Sequence, residues 1–185
     1  MKGDLPVVDY TRPKIQPSLH FDVTLEIPQG TKNKYEMDHN TGRLRLDRVL
    51  FTSTQYPYDY GFVEGTLGQD GDPLDAMVIG ADPTFPGCLI ECYAVAMFRM
   101  TDEMGGDDKV LCVATADTRR EHITDLSSVP EYMLLEIEHF FSVYKTLEGK
   151  QTSVDEVSHR NEAVSIIEKC VDNYNAKYPA KEEEK

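Results

Sequence analysis

The chain has 185 residues, 40% hydrophobic and 28% charged, a composition suited to one folded domain whose core needs no disulfide staples. With 19 Lys and Arg against 33 Asp and Glu the formal charge is −14. That field repels nucleic acid and anionic membrane, so an anion handled here needs local cations, metal ions first among them.

No apolar run approaches the ~20 residues of a membrane span, and the opening MKGDLPVVDYTRPKIQPSLH lacks the apolar block of a secretory signal. Cys88, Cys92, Cys112 and Cys170 form no C-x-x-C pair and sit in apolar-patterned segments. They read as reduced core thiols of a cytoplasmic protein.

Residues 1–18 carry Pro6, Pro13 and Pro17 and little pattern, and read as an extended arm. Residues 19–178 read as a single domain and 179–185 as a solvated tail. A strand begins at Phe21, where Phe21, Val23, Leu25 and Ile27 alternate with Asp22, Thr24 and Glu26. After Pro28-Gln29-Gly30, residues 34–37 alternate again, and Asn40-Thr41-Gly42 breaks like a hairpin. Residues 42–51 form the next strand, with Arg48 on the phase of Leu44 and Leu46. Either a bulge rotates that cation outward or it points into a polar pocket. Residues 52–75 read as turns rich in aromatics, followed by a short buried strand over 76–79. Residues 88–100 are the longest extended stretch, 101–108 a polar turn, and 109–115 a further strand.

The period then changes. Ser128-Val129-Pro130-Glu131 has capping-box spacing with Ser128 as N-cap, and Met133, Ile137, Phe140 and Tyr144 follow at helical spacing. His139 falls beside those core positions and reads as structural. The region from Gln151 fits only as a helix, starting near Ser158 with Val164, Ile167, Val171 and Tyr174 on one stripe and Tyr178-Pro179 as its stop. Strands first and helices last imply an α+β domain on an antiparallel barrel or sheet.

The chemistry concentrates in two acidic turns. DGDPLD places Asp70, Asp72 and Asp75 about a glycine and a proline at the head of a buried strand. Crowded carboxylates raise one another's pKa unless a cation intervenes, and hard divalent ions take such oxygens. An EF-hand is excluded, because Leu74, Asp75 and Ala81 occupy positions that need a ligand, a glycine and a glutamate. TDEMGGDDK adds Asp102, Glu103, Asp107 and Asp108 before Lys109. One acidic turn is ordinary and solvated, whereas two heading apolar strands are better explained by shared ions. Lys34, Arg48, Lys109 and Lys145, each near a Tyr, Asp or Glu in sequence, supply cations for phosphate oxygens, and Tyr56, Tyr60 and Tyr144 supply phenol donors. Metals, cations and phenols together suit a polyphosphate. The chain contains no P-loop, no G-x-S-x-G and no histidine metal spacing; His39 stays unassigned.

These residues resemble the soluble inorganic pyrophosphatases of family I. LEIPQG, NKYE, LDR, YPYDYGF, DGDPLD, FRMTDEMGGDDK and HFFSVYK follow that family's blocks in order over residues 20–150. The resemblance implies a five-stranded OB-like antiparallel β-barrel with flanking C-terminal helices, several Mg²⁺ ions, and hydrolysis of pyrophosphate to two phosphates by a metal-activated water. It implies metal roles for Glu26, Glu36, Asp70, Asp75, Asp102 and Asp107, with Asp72 as general base. Lys34, Arg48, Tyr56, Lys109, Tyr144 and Lys145 would bind substrate, with Tyr60, Lys34 and Arg48 also acting in catalysis. A homohexamer follows by analogy. Two rival readings stay open: a Mg²⁺-dependent hydrolase of another phosphoanhydride such as a nucleotide, and an OB-type single-strand nucleic-acid module, against which the net charge speaks.

Overall fold

The computed structural model describes residues 20–102 and 105–179. The expected arm over 1–18, residues 180–185 of the expected tail, and Glu103 lie outside the described residues. In chain order the strands are β1 (Phe21–Ile27), β2 (Asn33–Asp38), β3 (Arg43–Val49), β4 (Asp59–Val63), β5 (Asp75–Ile79), β6 (Leu89–Asp102), β7 (Gly105–Gly106) and β8 (Lys109–Ala114). Helix α1 (Glu131–Val143), strand β9 (Ser153–His159) and helix α2 (Arg160–Lys177) follow.

Apolar runs without polar alternation need cover on both faces, and the central strands obtain it. Along β5, Met77 and Ile79 join a core shared with Met133, Ile137 and Phe140 of α1. Ala76 and Val78 join a second core shared with Ala163, Ile167 and Cys170 of α2. Leu111 and Val113 of β8 fall in the first core, and Val110 and Cys112 in the second. The period of two therefore sorts one strand's residues between two helices.

The main sheet runs β1-β4-β5-β8-β6-β7, with β9 on β6, and β1 also pairs β6, so the hydrogen-bonded path returns to its start. All these pairs are antiparallel except β5–β8, which is parallel. The expectation of a purely antiparallel arrangement is corrected there. β2 and β3 form a separate two-stranded sheet.

Further expectations change for physical reasons. Residues 52–75 contain β4, all five of whose residues are buried. Its acid and glycine disguise it, yet Gly61 is required: a Cβ there would stand 2.0 Å from the Thr24 carbonyl oxygen. The region after Gln151 is not helical throughout, because the polar β9 pairs with the overhanging half of the long β6. Ser128 is not the cap of α1. It closes a capping box with Asp125 on a 3-10 turn, Leu126–Ser128, and α1 starts after Pro130 without a side-chain cap. His139 is exposed rather than packed beside the core. Cys88 is half-buried, whereas Cys92, Cys112 and Cys170 are buried, and all four are free thiols.

Candidate active site

The parallel pair brings the two acidic turns together. Because β5 and β8 run the same way, their preceding turns lie at the same edge of the sheet, and Asp75 stands in register with Lys109. The first turn is built tightly. Buried Thr66 accepts from the Leu74 N–H at 2.9 Å and donates to the Val63 carbonyl at 2.6 Å. Gly71 takes φ +95°, which favours glycine, and the Asp72 N–H donates to Asp70 Oδ1 at 3.1 Å. Partial burial, then the Asp70 and Asp75 charges, push the Asp72 carboxyl up from its ordinary range.

Lys109 is the hub of the acidic edge. Its Nζ lies 2.5 Å from Asp75 Oδ2 and also bonds Asp107, and the residue is only 2% exposed. Burial opposes its charge, but the two carboxylates outweigh burial and raise its pKa. Tyr60 donates to the same Asp75 oxygen at 2.7 Å. Burial pushes the Tyr56, Tyr60 and Tyr144 phenols well up, so they remain hydrogen-bond donors at neutral pH.

Two bulges aim further charges at the same place. The β1–β4 register slips between Leu25 and Ile27, leaving Glu26 as the extra residue. Glu26 is buried, as is Thr24 on the same phase, and accepts from the Met37 N–H at 2.6 Å. Burial, only partly offset by that bond, pushes its carboxyl up to about 7. The β2–β3 register slips at Asp47, so Arg48 opposes Lys34 and leaves the phase of Leu44 and Leu46. The two explanations weighed for Arg48 thus hold together: a bulge rotates it, and it lines a polar cavity.

That cavity, about 500 Å³, is lined by every candidate side chain: Glu26, Lys34, Glu36, Arg48, Tyr56, Tyr60, Asp70, Asp72, Asp75, Asp102, Asp107, Lys109, Tyr144 and Lys145. Lys34 pairs with Glu36 and lies 3.7 Å from Asp47. Lys145, just past α1, donates to Asp102 at 3.1 Å. Among the described residues no three acidic, histidine or cysteine side chains form a ready-made metal cluster; Asp75 and Asp107 gather instead about the Lys109 ammonium.

The sequence reading left His39 unassigned, and Lys150 and Glu148 escaped it. His39 packs edge-on against Phe62 at 5.2 Å and lines the cavity, as does Lys150. Glu148 accepts from Arg48 Nε at 2.9 Å. Its only sequence signal is proximity to Tyr144-Lys145.

Comparison with known proteins gives a consistent result. A family model described as inorganic pyrophosphatase matches residues 23–175. An inorganic pyrophosphatase of Streptomyces coelicolor is 63% identical over 152 residues, covering 82% of this chain and 93% of the relative. One from Leifsonia xyli is 50% identical over 157 residues, covering 84% and 96%. The crystal structure of inorganic pyrophosphatase from Thermus thermophilus superposes with a TM-score of 0.83 at 41% identity, covering 92% of this chain and 97% of that one.

Proposed function

The chain belongs to the soluble inorganic pyrophosphatases of family I, an enzyme family acting on pyrophosphate, and from that premise we propose how this cavity performs the hydrolysis with Mg²⁺. The observation that carries the reading is the Lys109 hub, where Asp75 and Asp107 converge on one cation at the edge of a cavity whose lining brings further carboxylates together with Lys34, Arg48 and Lys145.

The donor set fits a hard divalent ion. It consists of carboxylate oxygens without a thiolate among them, and Asp75 and Asp107 already share one positive charge. Asp70, Asp75, Asp102 and Asp107 would hold such ions, with Glu26 and Glu36 as further ligands in the same lining. Bound there, Mg²⁺ would lower the pKa of water and neutralise charge on both phosphoryl groups. Asp72 accepts the proton of the attacking water; its raised pKa brings it nearer the range where a carboxylate works as a base. Lys34, Arg48, Tyr144 and Lys145 bind phosphate oxygens and oppose the charge that builds on the leaving phosphate. Tyr56, Tyr60 and Lys109 fix the geometry of the acidic edge, Tyr60 and Lys109 by direct bonds to Asp75. Holding water and phosphorus in line supplies the remaining acceleration.

We read the returning path β1-β4-β5-β8-β6-β1 as a five-stranded OB-like barrel with one parallel pair, flanked by α1 and α2. Residues 19–178 form the one catalytic domain in this reading. A homohexamer is proposed by analogy with the family, with exposed Phe51, Phe85 and Leu89 as apolar side chains that subunit contacts could cover. The free thiols support a cytoplasmic setting.

The test is phosphate release from pyrophosphate and from ATP, each with Mg²⁺ and each again with excess chelator. Fast, chelator-sensitive release from pyrophosphate alone is expected. Equal or faster release from ATP would replace pyrophosphate with a nucleotide as substrate.

A further inference from the structure

We propose that Glu148 is a positioning residue of this site: it holds the Arg48 guanidinium by Nε, so that the β2–β3 hairpin presents its cations to bound diphosphate. This rests on the reading of Arg48 as a phosphate clamp.

The hairpin needs such a tether. β2 and β3 form a sheet of their own; Tyr35 of β2 and Leu50 just past β3 reach the main core, but Leu46 and Val49 of β3 are about half exposed, so apolar packing leaves the β3 face that carries Arg48 loosely held. Polar ties do more. At one end the Met37 N–H bonds Glu26 of β1 at 2.6 Å. At the other, Arg48 Nε bonds Glu148 Oε1 at 2.9 Å across 100 residues of sequence.

Glu148 is itself firmly placed. It ends the 3-10 turn Thr146–Glu148 directly after α1, and Gly149, at φ +73°, stops that turn. Thr146 Oγ1 donates to the Val143 carbonyl at 2.8 Å and the Gly149 N–H to the Thr146 carbonyl at 3.1 Å. The Glu148 side chain is only 10% exposed. Lys145 and Lys150, on either side of the turn, both line the cavity. The turn thus couples cations from α1's end to the cation of β3.

A carboxylate beside a polyanion site repels substrate unless its charge is taken up. Arg48 takes it up. A guanidinium has five N–H donors. Here one goes to Glu148 and one to Asp47, at 2.5 Å, and the remaining donors are available to phosphate oxygens. Burial opposes the Arg48 charge, and the two carboxylates outweigh it.

The test uses the full chain with Glu148→Gln, Glu148→Ala, Arg48→Ala and the Arg48→Ala/Glu148→Ala pair, each checked for folding by thermal melt. Glu148→Ala should raise KM for pyrophosphate about tenfold or more, with a smaller change in kcat, and Glu148→Gln should lie between it and the parent. In the Arg48→Ala background, removing Glu148 should add nothing. The Arg48 Nε–H resonance, followed by ¹H–¹⁵N NMR without substrate, should be protected in the parent and lost in Glu148→Ala. Should Glu148→Ala fail to fold, Glu148→Gln carries the same comparisons. An equal loss with and without Arg48 would show that Glu148 acts on the fold and not through Arg48, overturning the proposal. So would an unchanged KM in Glu148→Ala when Arg48→Ala raises it. An unchanged KM in Arg48→Ala would instead sink the clamp reading and this role with it, while the Nε–H signal still reports whether the contact exists.

Discussion

Glu26→Gln isolates the cost of burying a carboxylate where a cation is expected. In the metal-free protein burial raises the Glu26 carboxyl from 4.5 to about 7, against the Met37 N–H bond and with Asp75 adding to the rise. The unfolded chain releases this proton near 4.5, while the folded chain keeps it until about 7. Between those values the folded state binds more protons, so stability falls as pH rises, and the loss is complete above about 7. A gap of 2.5 units at about 1.4 kcal/mol each amounts to about 3 kcal/mol. Glutamine keeps an oxygen for the Met37 N–H and carries no proton to lose. Urea unfolding of parent and variant at equal protein concentration, with chelator, in steps from pH 4.5 to 8, reads the effect. The parent should lose about 3 kcal/mol relative to the variant over that range. Added Mg²⁺ should restore the parent more than the variant at pH 8. A parent–variant difference that stays flat with pH would refute the reasoning, because the Glu26 charge would then carry no burial penalty.

Three further outcomes follow from the same geometry. Asp72→Asn should cut kcat roughly 10²–10⁴-fold while calorimetric Mg²⁺ binding and the thermal melt stay near the parent's; near-normal turnover would remove Asp72 from the base role. Activity should fall below about pH 5 as the clustered carboxylates take up protons, and the raised Asp72 carboxyl should be among the first to do so; a rate profile flat to pH 4 would contradict this. Gly61→Ala should cost about 3 kcal/mol or more in unfolding free energy, since the new Cβ meets the Thr24 carbonyl oxygen at 2.0 Å and the Leu25 Cα at 2.9 Å. An unfolding midpoint equal to the parent's would show that β1 and β4 can separate freely there.

The fold was legible where burial is one-sided or continuous and obscure where it depends on a distant partner. β1, β5, β6, β8 and the apolar face of α1 carry their own pattern. β4 does not, because its glycine answers to the Thr24 backbone of another strand. β9 does not either, since its sequence, SVDEVSH, is polar and becomes a strand only by completing the overhang of β6. Ser128 misled because a capping box is a local signal: the box is present, but on the short turn before α1.

The site divides along the same line. Asp70, Asp72 and Asp75 lie within six residues, and their crowding is visible in the chain itself. The meeting of that turn with Asp107 and Lys109 is a property of strand direction. Had β5 and β8 been antiparallel, as the chain order of strands suggested, the two acidic turns would stand at opposite ends of the sheet and no ion could join them. The parallel pairing places Asp75 beside Lys109 and lets one ammonium engage both Asp75 and Asp107. Glu26 and Arg48 owe their aim to bulges, whose register slips depend on pairing with β4 and β2. A period of two read from the sequence alone sends Glu26 to solvent and leaves Arg48 on the apolar phase. Only Arg48 stands out of step in the sequence; Glu26 follows its alternation, and its irregularity is visible only in the pairing with β4. For this chain a cation on the apolar phase of its strand therefore points to the active cavity, because holding it there requires a bulge that ordinary pairing would not supply, whereas a carboxylate in step with its strand gives no such sign.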